Sequence, residues 1–204
     1  MEQLTKTFFE QRTDIVAKNL LGKYLIYHHP QGDIVAMIVE TEAYMGMSDP
    51  ACHSAIGKTK RNAVMFGEAG HSYLYRIYGI HTCYNITTDA PEKAAAVLIR
   101  ALFPLEGIAL LEVNRPGIKK EQLLQGPGNL CKAMGWDMSF NGISICEKNS
   151  KIQVLDKGKI ISDNEIIETT RVGITKAKDA LLRFYIKGHP SVSKKISGRN
   201  LKCD

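Results

Sequence analysis

From Ile34 to Val39 the chain is apolar at every position, and then Glu40 and Glu42 interrupt it. Successive side chains of a strand point to opposite faces. The alternation predicts that Ile34, Ala36, Ile38, Glu40 and Glu42 share one face, and that Val35, Met37, Val39 and Thr41 share the other. A strand that is apolar on both faces belongs in the middle of a covered sheet. Its two carboxylates then lie at the border of a core. A second run, Ala94 to Leu102, is apolar except at Arg100. An uncompensated charge in the interior is strongly unfavourable, so Arg100 requires an acidic partner, and Glu40 and Glu42 are the candidates. Spacing alone leaves two readings open: a structural salt bridge or a catalytic pair.

The elements around these runs follow from local signals. Thr13-Asp14 before Ile15, Val16, Ala17, Leu20 and Leu21, with Gly22 after them, reads as a capped helix with a glycine stop. Lys23 to His29 and Ile34 to Glu42, separated by Pro30-Gln31-Gly32-Asp33, form a hairpin candidate. Residues 45–70 read as loops around short helical turns. Further strands are predicted at Ser72–Tyr78, Ile80–Thr87, Ala94–Leu102, Ile143–Cys146, Ile152–Leu155, Arg171–Ile174 and Arg183–Lys187. Helices are predicted at Pro104–Val113 and, after Gly126-Pro127-Gly128, at Asn129–Met134, which Gly135 ends. Hairpins outnumber crossovers. The expected fold is α+β: a single domain over residues 1–204 with a curved, mostly antiparallel β-sheet flanked by short helices.

The chain has 204 residues and a net charge of +6. From Lys176 onward eight basic residues oppose only Asp179 and Asp204, so this segment carries a net charge equal to the whole chain's. One-sided basicity suits a polyanion, and the stretch 194–204 is expected to be a basic tail. The apolar stretch Ala94–Ile99 is far shorter than the roughly 20 residues of a membrane helix, and the N-terminus does not read as a signal peptide. The five cysteines are odd in number, and no CxxC occurs, which suits reduced cytosolic thiols and neither a disulfide frame nor zinc. No phosphate-binding glycine loop, dinucleotide fingerprint, HExxH, GxSxG or zinc-deaminase signature is present.

Several polar and aromatic stretches remain: Glu40-Thr41-Glu42-Ala43-Tyr44, His53-Ser54, Arg61-Asn62, Met65-Phe66, Tyr73 to Gly79, Cys83 to Ile86 and Leu98 to Leu102 with Pro104 to Gly107. Gly126 to Cys131, Arg171-Val172-Gly173 and Leu182 to Tyr185 follow them. On strand spacing alone Tyr73, Tyr75 and Tyr78 are ordinary packing residues. In this order, however, the stretches resemble the alkyladenine (3-methyladenine) DNA glycosylase family from about residue 8 to residue 193. The segment Met45–Cys52 departs from the more acidic stretch of vertebrate members.

The resemblance implies a monofunctional DNA glycosylase of base-excision repair. Such an enzyme flips a damaged purine from duplex DNA and hydrolyses its N-glycosidic bond, leaving an abasic site. The implied substrates are 3-methyladenine and, with it, 7-methylguanine, hypoxanthine or ethenoadenine. Residue by residue, Glu42 matches the glutamate that activates the water, Arg100 the arginine that helps hold it, and Val172 the residue whose backbone carbonyl completes the water site. Glu40 lacks that role. Tyr44 and His53 match one side of the base pocket and Tyr75 the other. Asn85 matches a residue that clashes with the exocyclic amino group of guanine, and Tyr78 the wedge that fills the gap left in the duplex. The family needs no cofactor and no metal. Its members bind double-stranded DNA as monomers without an obligate protein partner, and the expected compartment is a bacterial cytoplasm. A damage-binding protein without catalysis and a non-repair protein on the same fold are the alternatives.

Overall fold

A computed structural model describes residues 2–77, 79 and 81–194. Its strands are β1 (Glu2–Gln3), β2 (Tyr24–His29), β3 (Gly32–Tyr44), β4 (Ser72–Ile77), β5 (His81–Thr88), β6 (Ala95–Glu106), β7 (Ile152–Asp156), β8 (Ile166–Thr169) and β9 (Arg183–Ile186). The helices are α1 (Lys6–Phe9), α2 (Thr13–Asn19), α3 (Ile108–Asn114) and α4 (Pro127–Met134). The strands form one nine-stranded sheet in the order β1-β7-β2-β3-β6-β5-β4, with β9 joined to β3 and β8 to β9. Every pairing among them is antiparallel, and the α+β class predicted from the sequence holds. No described helix is long and apolar enough to cross a membrane.

β3 organises the sheet. One edge pairs with β6 along its length. The other pairs first with β2, over Gly32–Met37, and then with β9, over Glu40–Glu42. The sheet therefore forks at the middle of β3, where the apolar run gives way to the carboxylates.

At that fork the simple alternation fails. Ile38 pairs with Leu102, Glu40 with Ala101 and Thr41 with Ile99, so the register shifts twice within four residues. Val39 is the extra residue on β3 and Arg100 the extra residue on β6. Directly opposed residues of neighbouring strands share a face, and a bulge re-aims the side chains that follow it. Glu40, Glu42 and Tyr44 consequently leave the face of Ile34, Ala36 and Ile38, contrary to the parity read from the sequence. Thr41 and Ala43 take over that face: Thr41 donates its hydroxyl to Ala17 O of α2 at 2.8 Å, and Ala43 is buried in the main core. The physical reason is that unbroken alternation would drive two carboxylates into the apolar layer under α2.

The two faces of the sheet carry different cores. The larger one gathers Phe9, Val16, Leu20, Ile38, Val97, Ile99, Tyr84 and Ile86 with Leu130, Met134 and Trp136 around α4. The smaller one, on the opposite face, contains Cys52, Met65, Tyr73, Tyr75, Cys83, Ala96 and Leu98. It lies beneath the segment 46–66, whose short helical turns at Gly46–Ser48, His53–Ile56 and Ala63–Phe66 match the sequence reading of that stretch.

Three predicted elements differ. Residues 104–106 continue β6 instead of opening a helix, and α3 starts only at Ile108. Pro104 is accommodated because the register shifts between Val35 and Ala36 opposite it, and bulges tolerate the missing N–H. Ile143–Cys146 is no strand: only Ser144 bridges, to His71. Arg171–Ile174 is a loop, drawn out of any ladder by contacts of Arg171 and Val172 with β3 and the loop after it.

Gly46 fixes how the 46–66 segment leaves β3. Its φ is +83°, and a Cβ there would lie 1.9 Å from Lys93 O. Gly46→Ala is expected to cost about 3 kcal/mol, combining roughly 1–2 for the left-handed conformation with about 1–3 for overpacking. Gly158 has a similar φ, +74°, with nothing within 4 Å, and its alanine variant should lose only about 1 kcal/mol. Urea denaturation of both variants measures the difference, and equal losses would show that the Lys93 contact is not tight.

Candidate active site

One transverse row of the sheet builds the site. Tyr73 on β4 pairs with Asn85 on β5, Asn85 with Leu98 on β6, Leu98 with Glu42 on β3, and Glu42 with Arg183 on β9. Opposed residues share a face, so five strands present these side chains on the side of the smaller core. In adjacent rows of that face, Tyr75 pairs with Cys83 and Tyr44 with Ala96. Residues far apart in the chain, among them Tyr44, Tyr75, Asn85 and Arg183, are thus brought together by register alone.

At the β3 end of the row four charges are buried. Glu40 accepts from Arg183 Nε at 2.7 Å, from Arg100 Nε at 3.0 Å, and from the Ser193 amide and hydroxyl at 2.6 and 3.0 Å. Glu42 Oε1 accepts from the Val172 amide at 2.7 Å and lies 3.3 Å from Arg100 Nη1. Glu42 Oε2 accepts from the Tyr44 hydroxyl at 3.0 Å. Both carboxylates are 0% exposed. Arg100 spans the two, as its place in an apolar run required. Burial pushes the Glu42 carboxyl above the ordinary glutamate range, and Arg100, the Val172 amide and Tyr44 offset only part of that rise.

Beside this cluster lies a cleft of about 540 Å³ lined by Tyr44, His53, Asn62, Tyr73, Tyr75 and Asn85, with Arg61, Arg76 and Lys176 among its basic residues. Tyr44 lines the cleft and is also the donor to Glu42 Oε2. Asn85 is fixed by its amide, which donates to Tyr73 O at 3.1 Å. His53 Nδ1 lies 2.9 Å from the Tyr73 hydroxyl, and its ring meets Tyr75 edge-on with centroids 4.3 Å apart at 79°. Asn62 holds the His53 turn by donating to His53 O and Gly57 O, both at 2.9 Å. Burial lowers the His53 pKa, and Arg61 lowers it further, so the imidazole is neutral at pH 7. Burial raises those of Tyr44, Tyr73 and Tyr75, so these hydroxyls keep their protons. The aromatic side chains of the cleft are therefore uncharged, and the basic side chains of Arg61, Arg76 and Lys176 line it with them.

Glu42, Arg100, Val172, Tyr44, His53, Tyr75 and Asn85 are brought together as the sequence reading expected of one site. Two contacts lie beside the expected roles. Val172 reaches Glu42 through its backbone N–H, a contact separate from the water site expected of its carbonyl. His53 also touches Tyr75, where the two were expected on opposite sides of a base-wide slot. Tyr78 and the tail from Lys195 onward lie outside the described residues. Sequence reasoning gave no role to Arg183, Ser193, Asp49 or Arg171. Arg183 is opposed to Glu42 by register, and Arg171 pairs with Asp49 across 122 positions of sequence; no local pattern marks such contacts. Among the described residues no three His, Cys, Asp or Glu side chains gather in the manner of a metal site.

The family profile described as Methylpurine-DNA glycosylase (MPG) matches residues 7–190. The chain is 44% identical over 192 residues to a putative 3-methyladenine DNA glycosylase of Carboxydothermus hydrogenoformans, covering 94% of this chain and 99% of the relative. It is 45% identical over 192 residues, with the same coverage, to a protein of that description from Methanoculleus marisnigri. A third, from Francisella tularensis, is 42% identical over 184 residues, covering 90% of this chain and 95% of the relative. A match of this extent places the chain in the methylpurine-DNA glycosylase family of DNA repair proteins.

Proposed function

We propose that the protein excises alkylated and related damaged purines from duplex DNA by hydrolysis, with Glu42 as general base. The observation that supports this best is the position of Glu42. It is a buried carboxylate of raised pKa, charge-paired with Arg100 and hydrogen-bonded to Tyr44 of the aromatic cleft. A proton acceptor needs a pKa drawn toward the working pH, and burial supplies that. The damaged base, flipped from the stack, lies in the cleft against Tyr44, His53 and Tyr75. Stacking on such rings is worth roughly 1–3 kcal/mol per base, and a cationic purine gains about 0.5–2 kcal/mol more from the ring faces. The neutral His53 adds no opposing charge. Because His53 touches Tyr75, base insertion between them requires one ring to swing aside.

Water reaches the sugar carbon from the Glu42 side of Tyr44. Glu42 takes its proton, Arg100 orients it, and the Val172 carbonyl accepts its second hydrogen. An alkylated purine is a good leaving group, so one carboxylate suffices where sugar hydrolases use two. Asn85, locked by Tyr73 O, excludes guanine through a clash with its exocyclic amino group, and Tyr78 fills the gap in the duplex. Glu42 contacts Val172, Tyr44 and Arg100, none of which offers an amine for a Schiff base; Lys176 lies at the exposed rim of the cleft. The product is therefore an abasic site without strand cleavage.

The test is release of free 3-methyladenine from alkylated DNA in EDTA. Release supports the reading, whereas no release from DNA that the protein binds would make it a damage-binding module. Glu42→Gln should lower the single-turnover rate by about 10²–10⁴-fold and still bind lesion DNA. Because the folded protein holds the Glu42 proton more tightly than the unfolded chain, the associated stability is present below the ordinary glutamate range and lost as pH rises through the folded value. The glutamine variant should accordingly be no less stable at neutral pH, which thermal melting checks.

In wild type, a pH–rate profile should fall toward acid with an inflection above the ordinary glutamate value of 4.5; an inflection at or below that value would remove Glu42 as the base. Asn85→Ser should increase release of guanine from undamaged DNA, read by chromatography, without a matching increase in adenine.

A further inference from the structure

The loop that supplies Val172 is fastened to β3 by its neighbour. Arg171 is 5% exposed. Its Nη1 donates to Ala43 O at 3.0 Å and to Asp49 Oδ2, and its Nη2 donates to Asp49 Oδ1 at 2.9 Å. Its guanidinium lies 4.8 Å from the Tyr44 ring centroid. Burial pushes the Asp49 carboxyl up, but the Arg171 bonds and the Ala51 and Met45 amides outweigh it and hold the group below its ordinary range. The pair is thus ionised and bidentate, a geometry lysine cannot reproduce. Arg171 Nε is buried without a hydrogen-bond acceptor, so the side chain is not arranged for complete satisfaction of its donors.

Two neighbours of the Arg171 guanidinium, Tyr44 beneath it and Val172 next to it in the chain, touch Glu42. Ala43 O lies between Glu42 and Tyr44 in the chain. Tyr44, under the guanidinium, donates to Glu42 Oε2. Val172, the next residue, donates its amide to Glu42 Oε1. We propose that the Arg171–Asp49 pair is a positioning device, which seats the Val172 amide and the Tyr44 hydroxyl on the two oxygens of Glu42 and so fixes the base for the reaction. The catalytic part of this inference rests on the proposed function. The seating itself does not, because it concerns contacts within the protein.

The variants are Asp49→Asn and Arg171→Lys, which change the pair with little change in volume. Two readouts separate positioning from general support. Hydrogen exchange of the Val172 amide, followed by NMR at a temperature where thermal melting shows the variants folded, should speed up at least tenfold relative to wild type, while amides of β6 stay protected. Single-turnover release of 3-methyladenine should slow by about 10²-fold, the loss typical of a reacting group displaced by about 1 Å. Its acidic inflection should move to higher pH, because Glu42 loses a hydrogen bond to its ionised form. Unchanged Val172 exchange in folded variants overturns the proposal, as does a rate loss with the inflection in place. If the wild type releases no base, the functional reading fails, and Val172 exchange still decides whether the pair seats that amide.

Discussion

Glu40, Glu42, Arg100 and Arg183 form a buried cluster with no net charge, and the rest of the structure is arranged to make it tolerable. Removing a charge from water is costly unless attraction and hydrogen bonds replace hydration. Glu40 meets that demand with two guanidinium Nε donors and the amide and hydroxyl of Ser193. That leaves Arg100 free to present Nη1 to Glu42. Glu40 is thus the more fully bonded of the two, and Glu42 has fewer donors and a raised pKa. Two carboxylates two residues apart acquire different environments because different numbers of donors surround them.

The cluster also accounts for the break in the sheet. Its members come from β3, β6 and β9, and they meet only because Val39 and Arg100 are extra residues in their strands. The bulges turn the carboxylates away from the layer under α2 and toward the smaller core, where the aromatic cleft lies. Fold and site share one irregularity. A regular ladder would give a sheet of the same order with its acids in the apolar core.

Around the acid the imidazole and phenol groups of the cleft are uncharged. His53 is neutral, and the tyrosines that line the cleft hold their protons. Exposed positive charge lines the cleft at Arg61, Arg76 and Lys176, and the guanidinium groups of Arg61 and Arg171 lie 5.5 and 4.8 Å from the Tyr75 and Tyr44 ring centroids.

The sequence by itself determined the elements whose signals are local: the hairpin of β2 and β3, the pair β4 and β5, α2, and α4 between its prolyl start and Gly135. It also pointed to the acidic partners of Arg100, because an arginine in an apolar run demands an acid, and to the family, through the ordered motifs. Tertiary structure alone decided the faces. Alternation cannot reveal a bulge that depends on the opposite strand, and so the parity of Glu40 and Glu42 was misread. The extension of β6 through Pro104 likewise depends on a register shift in β3. Arg171–Ile174 has strand-like composition, yet it is held as a loop by Asp49, 122 positions away. Such contacts pair residues by space and charge, and propensity carries no record of them.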